Sequence, residues 1–259
     1  MKTAAVIGWP IEHSRSPTMI DAAFAACGIE AEMIKVGVAP AQFAAKLAEL
    51  RALPMLGASV TTPHKLAAHD LCDELASAAR AIGAVNCLQL AGTRLVGHNT
   101  DAPGFVDAAL AAGLVLAGAR VVLLGAGGAA RAVAYGCRGA GAHVTVAART
   151  PSKVAWTAAQ PWSELAALLR TAQLVVDCTS TALAGATGEL EVPLEALPAA
   201  ATVATLAYHA RTELLERARA SGHATLDGRA MLLHQGARAF TLWTGVRAPL
   251  DVMAAALRA

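Results

Sequence analysis

The feature that most constrains the fold is a glycine turn directly after an apolar run near the middle of the chain. Arg120-Val-Val-Leu-Leu124 leads into Gly-Ala-Gly-Gly-Ala-Ala-Arg at positions 125–131. A buried strand that enters such a turn and then a helix of small residues can accept a dinucleotide pyrophosphate on the helix N-terminus. Gly125 permits the tight turn and Gly127 permits a close approach of the phosphates, while Ala130 in place of the usual third glycine still allows close packing. Because the chain is rich in alanine, the alternative is that this turn serves only the packing of small residues.

A second signal about 20 residues later favours the dinucleotide interpretation. The next apolar strand ends in Ala147-Ala148-Arg149-Thr150, where an NAD enzyme usually places an acidic residue. This chain has no acid there and offers Arg149, Thr150 and Lys153, which suit a 2′-phosphate. The pattern therefore predicts NADP as the cofactor, with NAD possible, and the alternative is a solvated basic loop. The residues expected at the turn itself are Gly125, Ala126, Gly127, Gly128 and Ala129.

Composition limits the class of protein. The 259 residues are 56% hydrophobic and carry a net charge of +2, which gives no reason to expect a nucleic acid or an anionic membrane as partner. The longest apolar stretch, Ala108–Ala119, is shorter than the roughly 20 residues of a transmembrane helix, and the N-terminus does not resemble a signal peptide. Five cysteines without Cys-x-x-Cys spacing indicate reduced thiols in a cytoplasmic protein, and the histidine spacing shows no metal site. We expect a monomer or homodimer.

Strands and helices alternate through the first hundred residues, which predicts a parallel α/β domain. The expected strands are Ala4–Gly8, Ala31–Val36, Met55–Val60 and Asn86–Leu90. The expected helices are Pro17–Cys27, Ala41–Leu50 and Ala67–Ile82, the last broken near Asp73.

A second α/β unit begins near Gly118, after a connecting helix over 101–115. Its expected strands are Val121–Gly125, His143–Ala147, Leu174–Cys178, Thr202–Leu206 and a fifth near Ala224–Leu226. Helices over Ala230–Thr244 and Pro249–Leu257 close the chain and can pack back on the first domain. The predicted organisation is a substrate-binding domain of residues 1–100 with helices 229–259, and a dinucleotide-binding domain of residues 101–228.

Four segments of the first domain carry polar side chains at the ends of predicted elements. Ser14 and Ser16 precede a helix opened by Pro17, where Ser16 suits the N-cap and the pair can also hold a carboxylate. Pro63 is expected to open a helix from which Lys65 projects at a strand–helix junction, although such a lysine is more often a surface residue. Asn86 and Asp101 stand at two further element ends, where turn or cap roles are equally open.

Taken in order, these segments resemble the shikimate dehydrogenase family, which reduces 3-dehydroshikimate with NADPH on the route to chorismate and the aromatic amino acids. The resemblance implies an α/β substrate domain, a Rossmann-type dinucleotide domain and C-terminal helices that return to the first domain. The segments that carry it are Ser14/Ser16, Val60-Thr-Thr-Pro-His-Lys65, Gly83-Ala-Val-Asn86, Asn99-Thr-Asp101-x-x-Gly104-Phe, Gly125-x-Gly-Gly128, Tyr208, Gly228-x-x-Met231-Leu-x-x-Gln235 and Phe240-x-x-Trp243-x-Gly245.

The resemblance also implies a role for each matched residue. Lys65 and Asp101 would form the catalytic pair, a chemistry that suits the reduction of a ketone, which needs a proton for the developing alkoxide. The ring carboxylate would contact Ser14, Ser16 and Tyr208, and the ring hydroxyls would contact Thr61, Asn86 and Gln235. Leu206 and Gly228 would join the cofactor-binding residues.

Some positions depart from the usual family pattern and leave alternatives open. Ser59 and Ala148 stand where asparagines are common, and Asp177 and Cys178 stand where Asn-Ala is usual. One alternative is therefore a paralogue that uses quinate, an aminoshikimate or another ring acid, with NADP or NAD. The other is a catalytically idle dinucleotide-binding sensor, against which the retained Lys65 and Asp101 count.

Overall fold

The structure, a computed structural model, describes residues 2–92, 94–179, 190–208 and 212–258. The chain divides into two compact units after Gly104 and after Met231, so that the first unit contains both ends of the chain. Both dividing points fall inside helices. Each unit is built around one six-stranded sheet.

The sheet of the first unit is mixed, with strand order β2-β1-β3-β5-β6-β4. The prediction of a parallel sheet was wrong for β5, which runs antiparallel to both of its neighbours. The strand β6 was not predicted. Its hairpin with β5 needs no crossover helix, because Gly92 has a φ of +65° that reverses the chain within a short connection. The strands are β1 Lys2–Gly8, β2 Ala31–Gly37, β3 Met55–Val60, β4 Glu74–Leu75, β5 Cys87–Ala91 and β6 Arg94–His98.

The helices of the first half confirm most of the predicted elements. The expected break near Asp73 is present because its backbone N–H donates to the Leu95 carbonyl and its carboxylate accepts from the Leu95 N–H, which holds the segment against β6. The connecting helix, expected over 101–115, ends at Ala111, shortly before Gly113 with its φ of +81°. These helices are α1 Ser16–Ala26, α2 Phe43–Arg51, α3 Lys65–Leu71, α4 Ser77–Ile82 and α5 Asp101–Ala111.

The sheet of the second unit is entirely parallel, in the order β12-β11-β10-β7-β8-β9. Apolar side chains cover both faces: Val121 and Leu123 of β7 enter one core cluster, and Val122 and Leu124 enter the other. The five predicted strands are confirmed, and a short additional strand, β9, was not predicted. The strands are β7 Arg120–Leu124, β8 His143–Ala148, β9 Ala159–Pro161, β10 Leu174–Asp177, β11 Thr202–Thr205 and β12 Ala224–Leu226.

The first strand of this unit, β7, lies in the middle of its sheet, so the strand order reverses beside it. In open α/β sheets, ligands bind at the carboxyl ends of the strands at such a point.

Across the residues that the structure describes, no helix is long and apolar enough to cross a membrane. The remaining helices are α6 Gly128–Gly139, α7 Leu165–Leu169, α8 Glu213–Ala220, α9 Gly228–Thr244 and α10 Leu250–Arg258.

Candidate active site

The centre of the candidate site is an ion pair between Lys65 and Asp101 in the first unit. Lys65 is the first residue of α3 and Asp101 is the first residue of α5. The Lys65 Nζ lies 2.6 Å from the Asp101 Oδ2, and the two side chains are only 14% and 6% exposed. Lys65 is therefore not an ordinary surface lysine, because its charge is largely withdrawn from water and is compensated by a carboxylate.

The side chain of Asn86 connects this pair to the rest of the site. The Thr100 backbone N–H donates to the Asn86 Oδ1 at 2.6 Å, which fixes the orientation of the amide and makes its Nδ2 the donor. The Nδ2 lies 2.9 Å from both the Asp101 Oδ1 and the Thr100 Oγ1, and 3.3 Å from the Gln235 Oε1. Lys65, Asp101, Asn86 and Gln235 thus form one hydrogen-bonded group, although 149 positions separate Asn86 from Gln235.

Gln235 is held near Asn86 by close packing of α9. A Cβ on Gly104 of α5 would lie only 2.7 Å from the Gln235 Cβ and backbone nitrogen, so the glycine is required for this approach. Further along α9, the Trp243 indole N–H donates to the Leu88 carbonyl at 3.0 Å and its ring covers Gly57 of β3. The Gln235 Nε2 donates to the Leu232 carbonyl, which leaves the Oε1 directed at Asn86.

His64, the residue before Lys65, was given no role by the sequence patterns. Its ring is buried, stacks on Phe43 with ring centroids 4.3 Å apart, and donates from Nε2 to the Val38 carbonyl at 2.8 Å. Burial lowers the pKa of His64, so the neutral ring is a fixed support for the start of α3. The expectation that Pro63 opens this helix was wrong, because Pro63 lies in the preceding turn, which the His64 N–H closes on the Thr61 carbonyl.

Ser14, Ser16 and Thr61 lie near the carboxyl ends of β1 and β3. Both serines are buried, and the Ser16 N–H points at the Ser14 Oγ at 3.4 Å. The prediction of Ser16 as N-cap was therefore wrong, since Ser16 begins the helix and the Ser14 hydroxyl accepts its N–H. Within the described part of the chain, no hydrogen bond joins these three residues to the Asn86 group. Tyr208 follows β11 in the second unit and is half-buried.

The glycine turn of the second unit has the geometry that a phosphate-binding turn needs. Gly125 has a φ of +96°, and its N–H donates to the Ala147 carbonyl at 2.9 Å. Gly127, the residue before α6, has an extended backbone that any residue adopts, and a Cβ on it would meet nothing within 4 Å. The fold itself thus does not require a glycine at 127, whereas a ligand that approaches the backbone closely would. Ala126, Gly128 and Ala129 complete the turn and the first residues of α6.

The basic residues after β8 are exposed. Arg149 and Thr150 follow the strand directly, and Lys153 ends a short 3₁₀ helix, Pro151–Lys153. Arg149 and Lys153 therefore do not lie on a common α-helix. The fit with a 2′-phosphate is retained, because both cations are open to solvent and the segment 147–158 contains no acid.

Two further cofactor candidates, Leu206 and Gly228, pack against each other at the end of β11. A Cβ on Gly228 would lie 2.2 Å from the Leu206 carbonyl oxygen, and the Gly228 N–H donates to the Ala207 carbonyl. The first residue of α9 is thus held against the carboxyl edge of the sheet. No cluster of histidine, cysteine and acidic side chains able to hold a metal ion occurs among the described residues.

Comparison with known proteins identifies the family. The family model for the shikimate dehydrogenase substrate binding domain matches residues 6–88, and that for the shikimate 5′-dehydrogenase C-terminal domain matches residues 228–258. A shikimate dehydrogenase (NADP(+)) of Symbiobacterium thermophilum is 42% identical to this chain, over 96% of the chain and 90% of that protein. The chain belongs to the shikimate dehydrogenase family.

Solved structures of the family share the whole fold. The crystal structure of shikimate 5-dehydrogenase from Thermus thermophilus in complex with NADP(H) and shikimate is 36% identical, with a TM-score of 0.88 over 100% of this chain and 99% of that one. A ligand-free 5-ketofructose reductase of a Gluconobacter species is 33% identical, with a TM-score of 0.83 over 99% of this chain and 98% of that one. Both the family and the α/β fold class predicted from the sequence are confirmed.

The positions that depart from the usual pattern of the shikimate dehydrogenase family fall in both units. Ser59 is half-buried on β3, between Val6 and Cys87 of the neighbouring strands. Ala148 is buried at the end of β8, and Cys178 is half-buried directly after β10. The Ala148 side chain cannot replace the hydrogen-bonding capacity of an asparagine.

Proposed function

We propose that this chain is an NADP-dependent shikimate dehydrogenase that reduces 3-dehydroshikimate to shikimate and catalyses the reverse reaction. The observation that carries the proposal is the buried Lys65–Asp101 ion pair with its link through Asn86 to Gln235, in a member of this family. A protein that only binds metabolites has no need of a buried proton donor, so the geometry disfavours an idle sensor. The expected place of the reaction is the cytoplasm, on the route to the aromatic amino acids.

Lys65 is the proposed proton donor. NADPH, when bound, supplies the hydride that reduces the carbonyl carbon. The Lys65 ammonium stabilises the developing alkoxide and transfers one proton to it, which yields the new hydroxyl and a neutral amine. Asp101 holds the Lys65 Nζ in place through its Oδ2, and in the oxidation direction the same amine accepts the hydroxyl proton.

The other polar side chains of the first unit suit a polyhydroxylated ring. We assign the ring hydroxyls to Thr61, Asn86 and Gln235, since each hydroxyl buried without a partner costs about 1–3 kcal/mol. We assign the ring carboxylate to Ser14 and Ser16.

The proposed dinucleotide site lies in the second unit. The turn of Gly125, Ala126, Gly127, Gly128 and Ala129 would hold the pyrophosphate at the N-terminus of α6. The basic segment of Arg149, Thr150 and Lys153 would hold the 2′-phosphate, and Leu206 and Gly228 would also contact the cofactor. We place substrate binding in residues 1–100 with the helices of 229–259, and cofactor binding in residues 101–228. The proposal holds for a monomer or a homodimer.

A second candidate function is the reduction of a different polyhydroxylated ketone. Ser59 has a shorter side chain than the usual asparagine and leaves more room beside β3. A solved relative that is 33% identical carries the name of 5-ketofructose reductase, so the family fold serves more than one ketone. Quinate, an aminoshikimate or another ring acid, with NADP or NAD, belongs to this candidate.

The test is a spectrophotometric assay of nicotinamide reduction with shikimate, quinate and fructose, each with NADP and with NAD. We expect the highest kcat/KM for shikimate with NADP. The substitution Lys65→Ala should lower kcat by about 10²–10⁴-fold while the Kd for NADPH stays unchanged, and Asp101→Asn should be similarly poor. Lys46→Ala is the matched control, because Lys46 is a surface lysine that pairs with Glu49 on α2.

The outcomes separate the candidates. Near-normal turnover of the Lys65→Ala enzyme would contradict the assigned proton donor. A higher kcat/KM for quinate or fructose would favour the second candidate. Tight NADPH binding without turnover of any of these substrates would favour the idle sensor.

A further inference from the structure

Trp156 makes a specific contact with the glycine turn that no sequence motif predicts. It lies in the segment between β8 and β9, and its indole Nε1–H donates to the Ala126 carbonyl oxygen at 3.0 Å. Ala126 is the second residue of the turn, and its carbonyl belongs to the same peptide group as the Gly127 N–H. The side chain is half-buried and packs against the core cluster on that face of the second sheet.

The planarity of the peptide gives this contact a consequence for ligand binding. In a trans peptide the C=O and N–H bonds point in opposite directions, so a donor that fixes the Ala126 oxygen also fixes the direction of the Gly127 N–H. A Cβ on Gly127 would meet nothing within 4 Å, so the space beside this residue is open. The Gly127 carbonyl accepts from the Arg131 N–H of α6. The hydrogen bond from Trp156 fixes the preceding peptide group and directs its N–H away from the indole.

The indole ring is itself held by α6. The Arg131 guanidinium carbon lies 5.9 Å from the centre of the Trp156 ring, within the range of a cation–π contact. In the described part of the chain, the buried Arg131 Nε has no hydrogen-bond partner. The Arg138 Nη2 on the same helix donates to the Thr157 Oγ1 at 3.1 Å, which ties the next residue of the segment to α6 as well.

We propose that Trp156 is a positioning residue for the dinucleotide, which aims the Gly127 N–H at the pyrophosphate through the Ala126 carbonyl. The inference rests on the proposed function in so far as the ligand is a dinucleotide. It differs from the assignment of Arg149, which concerns the 2′-phosphate of NADP alone. The pyrophosphate is common to NADP and NAD, so Trp156 should act on both cofactors equally.

The experiment is calorimetric titration of wild type and Trp156→Phe with NADPH, NADH and 2′-AMP, an adenosine fragment that carries the 2′-phosphate and lacks the pyrophosphate. Phenylalanine keeps an aromatic ring beside Arg131 and removes the donor. We expect the Kd for NADPH and for NADH to rise by the same factor, about three- to tenfold for one lost hydrogen bond, with the Kd for 2′-AMP and the kcat at saturating NADPH unchanged. Trp162→Phe is the matched control, because Trp162 packs against the cluster on the other face of the sheet.

An unchanged Kd for NADPH in the Trp156→Phe protein would overturn the proposal. An equal loss of 2′-AMP binding would also overturn it, since that result indicates a general disturbance of the segment. If the phenylalanine variant does not fold, replacement of Trp156 by 3-benzothienylalanine removes the N–H without changing the shape of the ring, and the same outcomes apply. Failure of the wild-type protein to bind NADPH would instead contradict the proposed function.

Discussion

The substitution Gly104→Ala tests whether the close approach of α9 sets the geometry of the site. On helix propensity alone, alanine in α5 should stabilise the protein by about 0.5–1 kcal/mol. The new Cβ would, however, lie 2.7 Å from the Gln235 Cβ and backbone nitrogen and 2.8 Å from its Cα. Backbone atoms cannot move aside as a flexible side chain can, so the overpacking cost should be near the upper end of its usual range, about 3 kcal/mol. The net expectation is a loss of about 2 kcal/mol.

Displacement of Gln235 by the new Cβ should also lower activity, because Gln235 and Asp101 both accept hydrogen bonds from the Asn86 amide. A shift that approaches about 1 Å at a positioning residue can cost about 10²-fold in rate, so we expect kcat/KM for shikimate to fall by roughly 10- to 100-fold. The assays are thermal unfolding, with Tm expected to fall by about 4–8 °C, and steady-state kinetics. The Kd for NADPH should stay unchanged, since Gln235 belongs to the first unit.

The matched control is Gly236→Ala, one residue beyond Gln235 on α9. A Cβ at 236 would meet the Met19 Cε at 2.2 Å, which is the end of a flexible side chain, and the next nearest atoms also belong to the side chains of Met19 and Met253. This variant should keep kcat/KM within a few-fold of wild type, and its Tm should change little. The reasoning is refuted if Gly104→Ala is as active and as stable as wild type, or if both variants lose activity to the same extent.

Two further predictions concern the second unit. Arg149→Ala should raise the KM for NADP by about 10- to 100-fold and leave the KM for NAD nearly unchanged. The control is Arg170→Ala, which replaces an exposed arginine outside the candidate site and should change neither KM. An equal rise of both KM values in Arg149→Ala would show that the segment does not recognise the 2′-phosphate. Burial raises the pKa of Asp177 above its ordinary value of 3.8, so its carboxyl binds a proton more tightly in the folded than in the unfolded protein. This tighter proton binding stabilises the fold at acid pH, and the stabilisation is lost as the pH rises through the raised pKa. Asp177→Asn should therefore raise Tm near neutral pH, since an asparagine Oδ1 can still accept from the Thr179 N–H and hydroxyl. In a calorimetric series, the difference in Tm between variant and wild type should shrink as the pH falls toward 3.8. A difference in Tm that is independent of pH would contradict this titration of Asp177.

The strand that is most easily predicted from the sequence is β7, whose apolar residues form an uninterrupted run. The run at 120–124 could be recognised because strands in a parallel sheet are covered on both faces. The hairpin strand β6 carries Arg94 and His98 at its ends and has only one fully covered face, so its pattern is weaker. The antiparallel pairing of β3 with β5 depends on contacts between distant segments, which no local pattern reveals.

The choice of Lys65 and Asp101 depends on the resemblance to the family, and the exact contacts of the two residues could not be predicted. An ammonium and a carboxylate suit the reduction of a ketone, but these residue types alone do not distinguish a catalytic pair from surface or cap residues. The 2.6 Å separation of Lys65 and Asp101 depends on α3 and α5 both starting at these residues, and the start of α3 at Lys65 rather than at Pro63 was not predicted. His64 shows no signal beyond its place in the motif, since a histidine that supports a helix start and one that binds substrate look alike in sequence.

The Asn86 amide explains how a site built on buried side chains can still accept a substrate. Its two Nδ2 hydrogens face three acceptors, and the Gln235 Oε1 at 3.3 Å is the most distant of them. Asp101 and Thr100 therefore take the hydrogens, and the acceptor capacity of Gln235 is only partly used. In the proposed reaction, a ring hydroxyl can donate to the Gln235 Oε1 without breaking the bond that holds Asp101. The ion pair that aims Lys65 is thus preserved while the substrate is bound.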